Sequence, residues 1–138
     1  MSKIIGIDYG QKKIGFAITD FSGQIVFEKG VLMNSNIENV VDYISKILDG
    51  DQLHKIVIGK PYSKSGEETD QTKRMDQFAT KLKKYFPGID IVFVDESFTS
   101  FEAQNKIDEI SKNVSTLKSS EDEMAAALIL QRYVDFQQ

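Results

Sequence analysis

Cysteine is missing from all 138 residues, which rules out disulfides, thiolate metal sites and a cysteine nucleophile. Histidine is nearly missing too. His54 is the single one, stands before an apolar run far in sequence from the acids discussed below, and reads as an incidental surface residue. A zinc centre is therefore not expected. No apolar run approaches the ~20 residues that a membrane helix needs, so no bilayer span is expected. The opening MSKIIGIDYG carries one lysine and a short apolar stretch broken at Gly6 and Asp8. It lacks the h-region and small-residue cleavage site of a signal peptide, and the expectation is a cytoplasmic protein. There is no repeat, no low-complexity tract and no long linker, so residues 1–138 are read as one domain.

A basic surplus is also lacking. The net charge is −4, which by itself runs against nucleic-acid binding. The acidity is unevenly placed, however: residues 1–94 hold 13 basic and 12 acidic side chains, residues 95–138 hold 4 and 9. Bound divalent cations in the C-terminal third would offset part of that excess.

What is present has a clear order. KIIGIDY (3–9) is an apolar run ending in an acid before Gly10, the pattern of a buried strand. KIGFAITD (13–20) and QIVFEKGVLM (24–33) follow across short turns, predicting a three-stranded antiparallel meander. Ile37, Val40, Val41, Ile44, Ile47 and Leu48 then recur at helical spacing over 36–49, with N-cap candidates in Asn34-Ser35-Asn36 and a stop at Gly50. KIVIG (55–59) predicts a buried strand, 71–86 a helix ended by Pro87-Gly88, and IDIVFV (89–94) a fifth strand. Residues 99–111 read as helix, 112–119 as a polar loop and 120–136 as a last helix. The order βββαβαβαα implies an α/β fold. Its five-stranded mixed sheet has three antiparallel strands, then parallel ones, and helices on both faces.

Three carboxylates stand where such a fold places chemistry. Asp8 closes a buried strand, at the carboxyl end where α/β sheets bind ligands; capping of the Tyr9-Gly10 turn is the plainer role for it. Asp95 and Glu96 close the fifth strand, and because side chains alternate only one of them can share a face with Val94. Asp122 lies in Ser120-Glu121-Asp122-Glu123, a capping box, so a cap role competes with a ligand role. Beyond it, Ala125, Ala126 and Ala127 would let the helix lie close to the sheet and bring Asp122 towards Asp8. Three such acids suit hard divalent ions, which accept oxygen ligands and keep waters. Two ions ~4 Å apart activate water and stabilise the leaving oxygen of a phosphodiester. The stretch 60–84 is the most basic in the chain. Lys60, Lys64, Lys73 and Arg74 flank the strand end and helix start nearest the acids and are read as phosphate contacts. Lys81, Lys83 and Lys84 are read as the solvated face of an amphipathic helix.

Taken together, GIDYGQKKIGFAITD (6–20), VIGKP (57–61), VDESFTS (94–100) and DEMAAALILQRY (122–133) resemble, in order and spacing, the four motifs of the YqgF/RuvX family. Its members are described as Holliday junction resolvase-like proteins and as pre-16S rRNA nucleases. The resemblance covers essentially the whole chain. It implies an RNase H-like fold and a bacterial, cytoplasmic nuclease acting at the 5′ end of the 16S rRNA precursor. It further implies Asp8, Glu96 and Asp122 as catalytic and metal-binding residues, with Mg²⁺ or Mn²⁺ as cofactor, two ions in the substrate complex. Read from the residues themselves, the expected nucleic-acid contacts are Lys12, Lys13, Lys60, Lys64, Lys73 and Arg74. The expected partners are precursor rRNA of the small ribosomal subunit and branched DNA, the expected state a monomer or homodimer. Two departures stand out. Asp95-Glu96-Ser97 replaces the family's Asp-Glu-Arg, removing a bidentate phosphate contact or a partner for a site acid. Gly59-Lys60-Pro61 replaces its Gly-Leu-Pro, and Lys60 would restore some of the lost charge. The rival readings are a Holliday junction resolvase, a catalytically weak RNA-binding assembly factor, and a phosphate-binding module of the actin and sugar-kinase ATPases. The last rests on G-I-D-Y-G followed by K-I-G-F-A.

Overall fold

The computed structural model describes residues 2–60, 69–95 and 121–136, with the backbone alone at 95 and 121–123. Along the chain come β1 (Ser2–Tyr9), β2 (Lys13–Thr19), β3 (Val26–Met33), α1 (Ile37–Leu48), β4 (Gln52–Lys60), α2 (Asp70–Tyr85), β5 (Asp90–Asp95) and α3 (Glu121–Phe136). The expected helix at 99–111 and loop at 112–119 fall outside the described residues, as does Ser120 of the capping box.

The sheet order is β3-β2-β1-β4-β5. β1–β2 and β2–β3 pair antiparallel, as the short turns require, while β1–β4 and β4–β5 pair parallel across helical crossovers. The meander and the mixed sheet are as expected from the sequence. β1 is thus the central strand, and its carboxyl end opens at the same edge as those of β4 and β5.

Alternation along the strands splits the interior into two layers. Ile5, Ile7, Ile56 and Ile58 pack against Val40, Ile44 and Leu48 of α1 and Phe78, Ala79 and Leu82 of α2. Ala17 and Val57 face the other way, onto Ala126, Ile129, Leu130 and Tyr133 of α3. Each of these isoleucines and leucines contributes about 1.5–3 kcal/mol through burial.

Both crossover helices start on side-chain caps. The Asn36 carboxamide oxygen accepts the Asn39 N–H at 2.9 Å, so of the three N-cap candidates Asn36 serves. Thr69 and Thr72 cap α2 reciprocally: each backbone N–H donates to the other's hydroxyl, at 2.9 and 3.2 Å. α1 stops at Leu48, just before Gly50, as the sequence leads one to expect. Its C-cap is Asp49, left-handed at φ 49°, and Gly50 follows at φ 88°. β4 begins earlier than the apolar pattern marks, at Gln52, so His54 is an exposed strand residue and does not precede the strand.

Candidate active site

Asp8 is half-buried at the carboxyl end of β1. Its direction follows from its neighbours. Ile5 and Ile7 belong to the α1/α2 layer, while Ile4 packs on the α3 side and a Cβ placed on Gly6 would strike α3. Alternation therefore turns Asp8 to the α3 face and Tyr9 to the α1/α2 face, where its ring lies 4.5 Å from that of Phe78.

The α3 helix comes to meet that acid. A Cβ built on Gly6 would lie 2.7 Å from Leu130 Cβ and 3.0 Å from the Ala126 carbonyl oxygen, so helix backbone and strand touch at this glycine. Lower down, Lys55, paired in register with Ile4, donates a hydrogen bond from Nζ to the Tyr133 hydroxyl. The helix thus runs antiparallel to β1, with its first turn towards the strand's carboxyl end. Asp122 lies four helical residues, about 6 Å, before Ala126. Asp8 lies two strand residues, about 6.6 Å, beyond Gly6. The two backbones arrive at one level, on one face. The side chain of Asp122, and all of Glu96 and Lys64, lie outside the described residues. Among the described residues no three His, Cys, Asp or Glu side chains are grouped as a metal site.

The turn after Asp8 is tightly built. Gly10 N–H donates to the Lys13 carbonyl at 2.9 Å, and a Cβ on Gly10 would sit 2.6 Å from that same oxygen. Only glycine fits. Asn34 then straps the turn: its Nδ2 donates to Gly10 O at 2.8 Å and its backbone N–H to Lys12 O at 2.8 Å. The sequence marked Asn34 only as a cap candidate; its bond to a turn 24 positions away carries no local signal. The strapped turn holds Lys12 and Lys13 exposed beside Asp8.

Lys60 ends β4 but takes the opposite face. Its ammonium pairs with Asp76 Oδ1 at 2.9 Å and sits 4.8 Å from the Phe93 ring centroid. It is thus engaged with α2 and turned away from Asp8. Gly59, just past the Ile7–Ile58 pair and in register with Val94, lies on the α3 face instead. Lys73 and Arg74 are exposed on α2. Arg74 and Lys81 line a cleft of about 120 Å³ between α1 and α2, together with Tyr9, Asn34, Asn36 and Gln77. Lys81 is exposed, as expected of the solvated face of the helix, and borders this cleft.

A family model described as "RuvX: Holliday junction resolvase" matches residues 2–136. A Sulfurihydrogenibium sp. protein named "Putative pre-16S rRNA nuclease" is 36% identical over 136 residues, covering 98% of this chain and 91% of its own. A Porphyromonas gingivalis protein of the same name is 35% identical over 137 residues, 98% and 97% of the two chains. Among solved structures, Thermus thermophilus RuvC in complex with a Holliday junction substrate superposes with a TM-score of 0.63 at 9% identity, over 98% of this chain and 95% of that one. Fowlpox virus resolvase, in complex with Holliday junction DNA, gives 0.59 at 12% identity over 98% of each chain. At such identities these two structures establish the fold, which is RNase H-like. The full-length model match and the curated relatives establish the family: this chain belongs to the RuvX family of Holliday junction resolvase-like proteins.

Proposed function

We propose that this chain is a metal-dependent nuclease that hydrolyses phosphodiester bonds in structured nucleic acid, with the 5′ region of precursor 16S rRNA as its substrate. The observation that carries the reading is the half-buried acid Asp8 at the carboxyl end of the central strand, on the face where the first turn of α3 comes level with it. Membership of the RuvX family and the names of its curated relatives support the same activity.

Asp8, Glu96 and Asp122 are the proposed ligands. Val94, near the end of β5, packs on the α3 side, and of the two acids that follow it Glu96 is taken as the ligand from the family motif. An all-carboxylate donor set fits Mg²⁺ or Mn²⁺ and not zinc. Bound there, such ions would supply Lewis acidity towards the phosphate oxygens and a more acidic water. Asp8 is held by the sheet on one side and by the strapped Gly10–Lys13 turn on the other, so its carboxylate is positioned before substrate arrives. Lys12 and Lys13 present positive charge next to it and hold the flanking backbone. No described helix is long and apolar enough to cross a membrane, and action in the cytoplasm accords with an rRNA substrate.

The test is cleavage of a labelled precursor 16S rRNA fragment and of a four-way DNA junction by the full chain, with Mg²⁺, Mn²⁺ or EDTA. Metal-dependent cleavage of the RNA is expected. Preferential cutting of the junction would move the substrate to branched DNA, as the family's description has it. Failure to cut either with both metals would overturn the nuclease reading.

A further inference from the structure

The cleft on the far side of the sheet from Asp8 has a chemistry of its own. It is walled by Tyr9, by the chain entering α1 at Asn34 and Asn36, and by Arg74, Gln77 and Lys81 of α2. Arg74, Gln77 and Lys81 follow at i, i+3 and i+7, so the three project from one stripe of the helix into the same space. Among the described residues no acidic side chain lines it. Among the described residues neither Arg74 nor Lys81 has an ion-pair or hydrogen-bond partner, whereas Lys3 and Lys60 are tied to Asp51 and Asp76 at 2.9 Å. Glu38, the one acid in the first turn of α1, is turned to the Tyr85 hydroxyl at 3.2 Å and does not line the cleft.

Two cations without a partner among the described residues, an amide and the start of a helix around a single small space make a site for a tetrahedral oxyanion. At about 120 Å³ the space is enough for one phosphate group. Tyr9 connects it to the chemistry, because Tyr9 and Asp8 are consecutive and point to opposite faces of the same strand end. We propose that this cleft seats one backbone phosphate of the substrate strand, a short distance along from the phosphodiester held at Asp8. The strand would then cross the sheet edge over the end of β1. The inference rests on the nuclease reading for its substrate, but its own readout is binding. It adds Lys81, Gln77 and Asn36 to the phosphate contacts and gives Arg74 a defined partner.

The experiment measures equilibrium binding of a stem-loop fragment of precursor 16S rRNA to the full chain with the background Asp8→Asn, which removes turnover, across 50–300 mM salt. Arg74→Ala/Lys81→Ala is compared with Lys83→Ala/Lys84→Ala, which removes the same charge from the exposed end of the same helix. Loss of one seated phosphate predicts about tenfold weaker binding and a log K against log [salt] slope shallower by about 0.7–0.9 for the first pair only. Equal effects of the two pairs, or no change in slope, would overturn the cleft as a phosphate seat. Cleavage by the wild-type chain, followed in parallel, separates the two ideas. Wild-type cleavage with indistinguishable pairs removes only the cleft, whereas a selective loss of binding without wild-type cleavage removes only the nuclease reading.

Discussion

The contact between Gly6 and α3 fixes how close the last helix lies to the central strand, and replacing that glycine by alanine tests its consequence. The added Cβ would stand 2.7 Å from Leu130 Cβ and 3.0 Å from the Ala126 carbonyl oxygen. Carbon atoms pack comfortably at about 3.5–4.0 Å, so strand and helix must part by about 1 Å. Neither obstructing atom lies at the end of a flexible side chain, and truncating Leu130 to alanine would leave its Cβ in place. Relief therefore has to come from movement of the helix as a body. Overpacking of this kind costs about 1–3 kcal/mol, which urea unfolding followed by circular dichroism would report. The same displacement moves the first turn of α3, with Asp122, away from Asp8. A misplacement of about 1 Å in a reacting constellation lowers turnover by up to about 100-fold. Single-turnover cleavage at saturating enzyme, under conditions where Gly6→Ala is still folded, should show that loss with RNA binding little changed. A folded Gly6→Ala protein that cuts at the wild-type rate would refute the idea that this contact sets the spacing between the acids.

Two further predictions concern stability away from the site. Asp49→Gly should stabilise the chain by about 0.5 kcal/mol, since relief of the left-handed conformation at φ 49° outweighs the extra freedom glycine gives the unfolded state; a loss of stability in urea would contradict it. In the β2–β3 hairpin the Ser22 hydroxyl, donating at 2.6 Å, and the N–H groups of Gln24 and Ile25 hold the Asp20 carboxyl below its ordinary range. Stability from a carboxyl lowered in this way is present above its unfolded value near 4 and is lost as pH falls through the folded one. Carboxyl NMR should find Asp20 titrating below the other exposed aspartates, and Ser22→Ala should bring it back up.

Local pattern carried most of the fold. Period-two apolar runs and short turns locate β1, β2 and β3, and the i, i+4, i+8 series Val40, Ile44, Leu48 locates the buried face of α1. Ends were less legible, for a physical reason. Gly50 marks the stop of α1, but nothing in the sequence marks Asp49 as a left-handed cap; the polar start of β4 is strand through pairing with β1, not through its own pattern. The site divides the same way. Strand-end logic finds Asp8 because a half-buried acid after an apolar run is costly without a role. Contacts between distant residues left no local trace. The three alanines of α3 announced close packing, but that Gly6 receives Ala126 depends on positions far apart in the chain. The cleft likewise joins Asn34 and Asn36 to Arg74 and Lys81, and by helical amphipathicity alone Lys81 looks like any other solvated lysine.

The central claim is that Asp8 acts in hydrolysis rather than in holding the turn behind it. Its most direct test is cleavage of the precursor 16S rRNA fragment by wild-type chain and Asp8→Asn side by side, with Mg²⁺, at matched RNA occupancy. Asparagine keeps the shape and the capacity to accept a turn hydrogen bond while removing the charge. Cleavage slower by about 100-fold or more, with unchanged thermal unfolding and RNA binding, is the predicted result. Cleavage by Asp8→Asn within a few-fold of wild type would contradict it.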